Sequence, residues 1–284
     1  MTQVVSMPPL LRLAGVRVAY PGHGWRARPV EILHGVDLEV GPGQTHGLVG
    51  ESGSGKTTIG RAILGLAPVA AGAITFDGAP IHALKGGARR RLSRDIQVVF
   101  QDPYTSLNPS RPVGDTLAEP LYGQGVSARQ ARERVAGLLD QVGLPGDAMR
   151  RLPREFSGGQ RQRIAIARAL AIEPRLIVCD EPVSALDLTT QRMVLDLLAQ
   201  IQRDTGVAYL FISHDLAVVR HVSDVVSVIE RGRIVESGPA AQVTGAPVHP
   251  YTRRLLLSAP VADPAAQRLR REAYEREFAG ERAS

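Results

Sequence analysis

The chain has 284 residues, of which 44% are hydrophobic and 22% charged, as is ordinary for a soluble globular protein of one or two domains. No run of ~20 apolar residues and no signal-peptide pattern is visible, so we expect a cytosolic location, and the lone Cys179 excludes a disulfide framework and a cysteine metal site. The net charge of +6 comes almost entirely from scattered arginines, and because only 4% of residues are aromatic and no recognition motif is present, no nucleic-acid partner is expected.

The first third of the chain alternates strand-like and turn-like segments. Residues 11–20 and 31–40 alternate apolar and polar side chains, as half-buried strands do, and the loop 21–29 between them is rich in Gly, Pro and Arg. Two shorter apolar segments, 73–76 and 96–100, are predicted as further strands.

Residues 50–57 read Gly-Glu-Ser-Gly-Ser-Gly-Lys-Thr and match the phosphate-binding pattern G-x-x-x-x-G-K-S/T. A short buried strand, 45–49, precedes the loop and a helix, 58–64, follows it, so the helix N-terminus adds a partial positive charge. Lys56 can reach the β- and γ-phosphates, and the Thr57 hydroxyl can ligate Mg²⁺. The predicted nucleotide-binding residues are Gly50, Glu51, Ser52, Gly53, Ser54, Gly55, Lys56, Thr57 and Thr58.

The pattern changes between about residues 103 and 165. Polar loops come first and carry four prolines, Pro103, Pro109, Pro112 and Pro120. A helix is predicted next, over residues 128–142, because apolar side chains recur there at helical spacing. The block therefore predicts a helical insertion between two parts of a sheet.

Strand and helix patterns alternate again after this block. The predicted elements are a strand at 176–179, a helix at 189–203, a strand at 209–212, and a hairpin of strands 225–229 and 233–236. The charged tail, 263–284, is predicted to be a terminal helix or disordered. In this order the elements predict one α/β nucleotide-binding core with a helical subdomain inserted.

Two carboxylates, Asp180 and Glu181, follow the buried strand 176–179. In open α/β sheets, ligands bind at the carboxyl ends of the strands, where these side chains would lie. Phosphoryl transfer to water needs neutralisation of phosphate charge and a positioned water molecule. We therefore expect Asp180 to hold Mg²⁺ through water and Glu181 to act as the general base.

The sequence Phe-Ser-Gly-Gly-Gln at 156–160 opens a predicted helix that continues to residue 171. Ser157 is a natural N-cap, and Gly158 and Gly159 expose backbone N–H groups at the helix start. Such a helix start is a second anion-binding site, physically independent of the phosphate loop. We therefore expect Ser157 to Gln160 to bind nucleotide.

With these motifs in this order, residues 11–260 resemble the ATP-binding subunits of ABC transporters. The resemblance implies an α/β fold with a P-loop NTPase core of the ABC ATPase type, an antiparallel β subdomain and an inserted helical subdomain. It implies an ATPase domain at 8–260, with the helical subdomain at about 103–165, and a C-terminal extension at 245–284. In this family the phosphate loop of one subunit faces the Ser-Gly-Gly-Gln helix of the other, and two ATP molecules lie between them.

The resemblance also implies roles for further residues. Tyr20 is placed like the aromatic residue that stacks on adenine, and on pattern alone it is equally a strand-end residue of the core. Gln101 matches a glutamine that ligates Mg²⁺ and senses the membrane partner. Asp187 ends a loop that crosses to the other subunit, and His214 matches a histidine that contacts the γ-phosphate. The expected catalytic residues are thus Glu181, His214 and Gln101.

Three segments, 100–109, 156–170 and 249–256, resemble the dipeptide, oligopeptide and nickel importers within the family. The resemblance implies an ATP-hydrolysing subunit, with ATP and Mg²⁺ as cofactors, that drives the uptake of peptides or related small solutes. The implied partners are a second ATP-binding subunit, two integral membrane permeases and, indirectly, an extracytoplasmic solute-binding protein. The implied location is peripheral, on the cytoplasmic face of the inner (plasma) membrane.

Alternatives stay open at this point. A soluble ABC ATPase of a non-transport complex, of the carbon–phosphorus lyase type or directed at nucleic acid, has similar motifs. A degenerate cassette kept for structure is a third alternative, although every catalytic position is intact here. The second ATP-binding subunit is either an identical chain or a paralogue, and other subunits select the transported solute.

Overall fold

The computed structural model describes residues 8–22, 28–102, 107–258 and 268, which form two β-sheets with helices packed around them. The strands are β1 (Leu11–Tyr20), β2 (Val30–Val40), β3 (Thr45–Val49), β4 (Val69–Phe76), β5 (Ala79–Pro80), β6 (Ile96–Val99), β7 (Leu176–Asp180), β8 (Ala208–Ser213), β9 (Val225–Glu230) and β10 (Arg233–Pro239). The helices are α1 (Lys56–Ile63), α2 (Gly86–Leu92), α3 (Val113–Tyr122), α4 (Ala128–Gln141), α5 (Gly158–Leu170), α6 (Leu188–Thr205), α7 (Leu216–Val222), α8 (Ala240–Gly245) and α9 (Pro250–Ser258). Within these residues, none of the helices is long and apolar enough to cross a membrane.

The smaller sheet is antiparallel, with strand order β2-β1-β4-β5. In β1 the side chains of Leu11, Leu13, Val16 and Val18 are buried, and exposed residues lie between them. The register shifts between Leu13 and Val16, where Gly15 has a φ of +58°. One face of this sheet therefore packs on a core, as the alternating sequence pattern predicts.

The larger sheet has the strand order β10-β9-β3-β8-β7-β6. Strands β9, β3, β8, β7 and β6 are parallel to one another, and β10 pairs antiparallel with β9 at the edge. The central strands β3 and β8 are buried along their whole length, as expected for a parallel sheet covered on both faces. Because β3, β8, β7 and β6 point in the same direction, the residues that follow them meet at one edge of the sheet.

Helices α3, α4 and α5 lie between β6 and β7, in the region predicted as a helical insertion. The prediction of a polar loop at Pro120 was wrong, because Pro120 lies inside α3, whereas Pro112 lies in the loop that immediately precedes this helix. Val113, Leu117 and Leu121 are buried at a spacing of four residues. Burial of this helix face outweighs the helix-breaking tendency of a proline near the C-terminal end.

Helices α2, α7, α8 and α9 were not predicted from the sequence. None of them exceeds nine residues, which is too short to show a helical period. The other predicted strands and helices are confirmed, with the largest difference at β4, which begins at Val69 rather than at residue 73. The tail 263–284 (residue 268 apart) and parts of the loops at 21–29 and 103–112 lie outside the described residues.

A buried histidine on β3 has a neutral ring. Nδ1 of His46 donates to the Glu39 carbonyl oxygen at 2.6 Å, and its Nε2 accepts from the Ser227 hydroxyl at 2.8 Å. One donor and one acceptor are what the neutral imidazole offers. Burial lowers the pKa of His46 to about 4, whereas an unfolded histidine titrates near 6.5.

This histidine is expected to make the fold sensitive to acid. The unfolded chain binds a proton at residue 46 below pH ~6.5, and the folded chain binds it only near pH 4. Stability is therefore lost as the pH falls through this window, by about 2 kcal/mol between pH 7 and pH 5. Urea unfolding at both pH values measures the loss, with the non-titrating His46→Gln as control. Equal losses in both proteins would contradict a neutral buried His46.

Candidate active site

The phosphate loop, residues 50–55, connects β3 to α1 at the carboxyl edge of the larger sheet. Gly53 and Gly55 have φ angles of +80° and +109°, a region that favours glycine. Gly50 has no space for a side chain, because a Cβ there would collide with the carbonyl oxygen of Ile229. The glycines therefore permit a turn at the N-terminus of α1 that other residues would strain.

Lys56 is the first residue of α1 and is buried. Its Nζ donates to the carbonyl oxygens of Gly50 at 2.7 Å and of Glu51 at 2.8 Å. Burial lowers the pKa of the Lys56 ammonium, and the charges of Glu181 and Asp180 oppose this shift. The cation is thus held against the phosphate loop and close to two acidic side chains.

The Thr57 hydroxyl on α1 meets the carboxylate at the end of β7. Its Oγ1 donates to Oδ1 of Asp180 at 3.2 Å. Burial raises the pKa of the Asp180 carboxyl, and the bond from Thr57 lowers it. Oxygen donors of this kind suit Mg²⁺, which takes only one or two protein ligands and completes its shell with phosphates and water. Among the described residues, no group of three or more His, Cys, Asp or Glu is placed so that it could hold a metal ion.

Glu181 directly follows β7, and His214 directly follows β8. Oε2 of Glu181 accepts a hydrogen bond from Nδ1 of His214 at 3.1 Å, which assigns the ring proton to Nδ1. Glu181 has a φ of +50°, which costs a non-glycine residue about 1 kcal/mol. The Glu181 side chain is 15% exposed and that of His214 is 52% exposed, so the pair borders solvent.

One cleft of about 470 Å³ collects nine of the predicted site residues. The predicted residues on its walls are Tyr20, Ser52, Gly53, Gly55, Lys56, Thr57, Thr58, Gln101 and Glu181. Tyr20 is also half-buried against the core next to the smaller sheet, so both interpretations of this residue fit its position. Five other predicted residues in the described part of the chain are not among the lining residues: Gly50, Glu51, Ser54, Asp180 and His214.

Two residues of the cleft were not predicted from the sequence. Ile32 comes from β2, and Arg61 comes from α1. The Arg61 charge lowers the pKa of Asp180, against the effect of burial. Arg61 follows Thr57 by four residues and therefore shares its face of the helix, which is the sequence signal that indicates it. No comparable signal points to Ile32.

Ser157, Gly158, Gly159 and Gln160 begin helix α5 and, among the described residues, do not line this cleft. Ser157 Oγ accepts from the Gln160 N–H at 3.3 Å, and Gln160 Oε1 accepts from the Ser157 N–H at 2.9 Å. The predicted N-cap at Ser157 is therefore confirmed. Its side chain is exposed, which leaves this helix start open to a second molecule.

Asp187 lies beside the same helix start. Its carboxylate accepts hydrogen bonds from the Thr190 N–H at 3.0 Å and from the Thr190 hydroxyl at 2.6 Å, which caps α6. The Thr190 methyl group packs against Gly159, where a Cβ would collide with it. Asp187 and Ser157 therefore lie close together, on a surface that is separate from the cleft of the same chain.

Residues from late in the chain hold the outer side of the phosphate loop. The Ser54 carbonyl oxygen accepts from the Gly232 N–H at 2.8 Å, and the Glu51 N–H donates to the Tyr251 hydroxyl at 3.0 Å. The sequence predicts a hairpin turn at Gly232, but no pattern connects that turn, or Tyr251, with the loop.

The phosphate loop between β3 and α1, together with the two carboxylates at the end of β7, defines a P-loop protein that binds nucleoside triphosphates. The model of the ABC transporter family matches residues 33–184, and the model of the oligopeptide/dipeptide transporter C-terminal region matches residues 235–280. The chain belongs to the ABC transporter family. This confirms the predicted fold class and the resemblance to the oligopeptide and dipeptide branch.

Curated relatives of similar sequence carry the name glutathione import ATP-binding protein GsiA. The protein from Pectobacterium atrosepticum is 52% identical over 238 residues, which cover 84% of this chain and 38% of the relative. The protein from Escherichia coli K12 is 48% identical over 273 residues, which cover 94% of this chain and 44% of the relative. The chain therefore spans less than half the length of these relatives.

Solved structures of ATP-binding cassettes have the same fold. One is the structure of cbiO1 from Clostridium perfringens, part of the ABC transporter complex cbiONQ, with a TM-score of 0.75 and 25% sequence identity. The match covers 84% of this chain and 92% of the cbiO1 chain. A dimeric structure of the cassette MJ0796, bound to ADP and Pi, has a TM-score of 0.73 at 28% identity and covers 81% of this chain and 98% of its own.

Proposed function

We propose that this chain is the ATP-hydrolysing subunit of an ABC importer and couples ATP binding and hydrolysis at a subunit interface to uptake of peptides or related small solutes. The observation that carries the proposal is the meeting of three features at one cleft. These are the phosphate loop, Thr57 with its hydrogen-bond partner Asp180, and Glu181 with its partner His214; of the two pairs, Thr57 and Glu181 line the cleft itself. Each of them answers a separate requirement of phosphoryl transfer to water.

The phosphate loop and the start of α1 bind the phosphates of ATP. Their N–H groups attract phosphate oxygens, and the positive end of the helix adds to this attraction. The Lys56 ammonium turns from the carbonyl oxygens of Gly50 and Glu51 to the β- and γ-phosphates. Tyr20 offers its ring to the adenine at the end of β1.

Oxygen donors in the cleft fit a magnesium ion. Thr57, Asp180 and Gln101 would hold Mg²⁺, and the bound ion supplies positive charge against the β- and γ-phosphates. Glu181 takes a proton from the attacking water as general base. His214 holds the Glu181 carboxylate in place through their 3.1 Å hydrogen bond and contacts the γ-phosphate.

A second ATP-binding subunit, identical or paralogous, completes the site in this proposal. The exposed surface around Ser157 and Asp187 also carries two exposed apolar side chains on α6, Leu188 at 79% and Met193 at 52%. An open anion-binding helix start beside apolar side chains suits a contact with another subunit. The dimeric MJ0796 cassette bound to ADP and Pi supports this arrangement.

The proposed assembly includes two integral membrane permeases and, outside the membrane, a solute-binding protein. The chain would sit peripherally on the cytoplasmic face of the plasma membrane. The names of the GsiA relatives support a small peptide such as glutathione as the solute. Co-purification of the tagged chain with permeases, rather than with a soluble enzyme complex or nucleic acid, tests this part of the proposal.

Removal of Mg²⁺ is expected to stop ATP hydrolysis by the purified chain. Excess EDTA should lower phosphate release by ~10²-fold or more, because charge neutralisation by the ion contributes several kcal/mol. Added Mg²⁺ should restore the rate, and titration with a fluorescent ATP analogue follows binding in parallel. A chain that binds no ATP with Mg²⁺ present, or hydrolyses it equally well in EDTA, would refute the proposed function.

A further inference from the structure

The segment His-Pro-Tyr-Thr at residues 249–252 has no part in the chemistry proposed above, yet it reaches the phosphate loop. Tyr251 lies on α9 with its side chain buried. Its hydroxyl oxygen accepts a hydrogen bond from the Glu51 N–H at 3.0 Å. Glu51 is the second residue of the loop, so a side chain near the end of the domain holds the backbone that surrounds the phosphates.

Hydrogen bonds fix the start of α9 to the edge strand of the larger sheet. The Glu236 carboxylate on β10 accepts from the Val248 N–H at 2.8 Å and from the His249 N–H at 3.1 Å. Nδ1 of His249 accepts from the Tyr251 N–H at 3.2 Å. The backbone that carries Tyr251 is therefore anchored independently of the phosphate loop.

The Tyr251 ring is held in place as well. It packs in the core that lies around the larger sheet. The Arg254 guanidinium carbon lies 5.5 Å from the ring centroid, and an Arg254 nitrogen lies 3.6 Å from the carboxylate of Glu230. With its backbone and its ring both held, the Tyr251 hydroxyl has little freedom to leave the Glu51 N–H.

Both backbone polar groups of Glu51 are engaged. Its N–H donates to Tyr251, and its carbonyl oxygen accepts from Lys56 Nζ at 2.8 Å and from the Ser54 N–H at 3.2 Å. When Lys56 turns to the phosphates of ATP, the carbonyl oxygen loses the Lys56 donor and keeps the Ser54 N–H. The bond from the Glu51 N–H to Tyr251 does not depend on Lys56 and holds the backbone at Glu51 in position.

We propose that Tyr251 is a positioning residue for nucleotide binding, whose hydroxyl holds the phosphate loop in the shape that receives the ATP phosphates. The inference rests on the proposed function of the cleft. A loop with several glycines has many accessible backbone conformations, and fixing one of them before binding lowers the entropy cost of binding. The effect therefore falls on affinity more than on the chemical step.

The substitution Tyr251→Phe removes one oxygen atom and keeps the buried ring. We expect the Kd for ATP and the KM for hydrolysis to rise together by ~3- to 10-fold, as for loss of one hydrogen bond, with kcat changed less than ~2-fold. Fluorescence titration and steady-state phosphate release on the full chain with Mg²⁺ measure these quantities. Thermal melting reports stability separately.

Tyr209→Phe is the matched control. Tyr209 is also buried, and its hydroxyl donates to the Leu198 carbonyl oxygen at 3.3 Å, a contact that does not involve the phosphate loop. The same oxygen is deleted there, so Kd and KM should stay at the wild-type values.

Three outcomes would overturn the inference. If Tyr251→Phe keeps the wild-type Kd and KM, with or without a lower melting temperature, the hydroxyl has no positioning role. If Tyr209→Phe raises Kd and KM as much, the effect is a general consequence of losing a buried hydroxyl. A wild-type chain that binds no ATP would overturn the proposed function and this inference with it, and the wild-type titration distinguishes that case from the other two.

Discussion

Replacing Glu181 by glutamine is expected to slow ATP hydrolysis by ~10²–10⁴-fold and to leave ATP binding intact. Oε2 of Glu181 accepts the hydrogen bond from His214, so the carboxylate has a fixed direction at the cleft. Glutamine has the same shape and can accept this bond through its amide oxygen, but it cannot take a proton from water. Single-turnover phosphate release measures the rate, and titration with a fluorescent ATP analogue measures the affinity.

The exposed Glu133 provides a matched control for this substitution. It pairs with Arg129 at 3.2 Å on α4, and Glu133→Gln makes the same change of atoms outside the cleft. We expect this variant to keep the wild-type rate, because an exposed pair of this kind contributes little. If Glu181→Gln hydrolyses ATP as fast as Glu133→Gln does, a group other than Glu181 activates the water.

The positions of the central strands could be predicted from the sequence, but their order could not. Short apolar runs mark β3, β7 and β8, and parallel strands place the residues after them at one edge. Periodicity does not indicate which strands are neighbours. The observed order β3-β8-β7-β6 is what brings His214 to within 3.1 Å of Glu181.

The helix cap at Ser157 was predicted correctly, because a capping signal depends on a few consecutive residues. Ser157 caps α5 as its sequence indicates. Hydrogen bonds between residues that are far apart in sequence could not be predicted, because no spacing rule relates their partners. The bonds between Thr57 and Asp180 and between Glu51 and Tyr251 are examples. Most residues on the walls of the cleft belong to short sequence motifs and could therefore be predicted. The residues that support the phosphate loop from outside are distant in sequence and could not.

Replacing Ser157 by arginine is expected to abolish ATP-driven dimerisation while the single subunit still binds ATP. Ser157 is exposed at the start of α5 and does not line the cleft of its own chain, so nucleotide binding by the monomer is spared. Arginine places a long cationic side chain on the surface proposed to meet the phosphate loop of the second subunit. Light scattering with and without ATP measures the dimer fraction, in a Glu181→Gln background that prevents hydrolysis from dissolving the dimer.

The substitution Ser127→Arg is a control that distinguishes the loss of a helix cap from the loss of a dimer surface. Ser127 begins α4 with the same arrangement, since its Oγ accepts from the Gln130 N–H at 3.4 Å and Gln130 Oε1 accepts from the Ser127 N–H at 3.4 Å. Each arginine substitution removes an N-cap that contributes about 1 kcal/mol, so destabilisation of the helix appears in both variants. Only Ser157→Arg should prevent the ATP-dependent dimer. If Ser157→Arg dimerises as much as the Glu181→Gln protein from which it is made, this surface is not part of the interface. If neither arginine variant dimerises, the loss of dimerisation results from the loss of a helix cap.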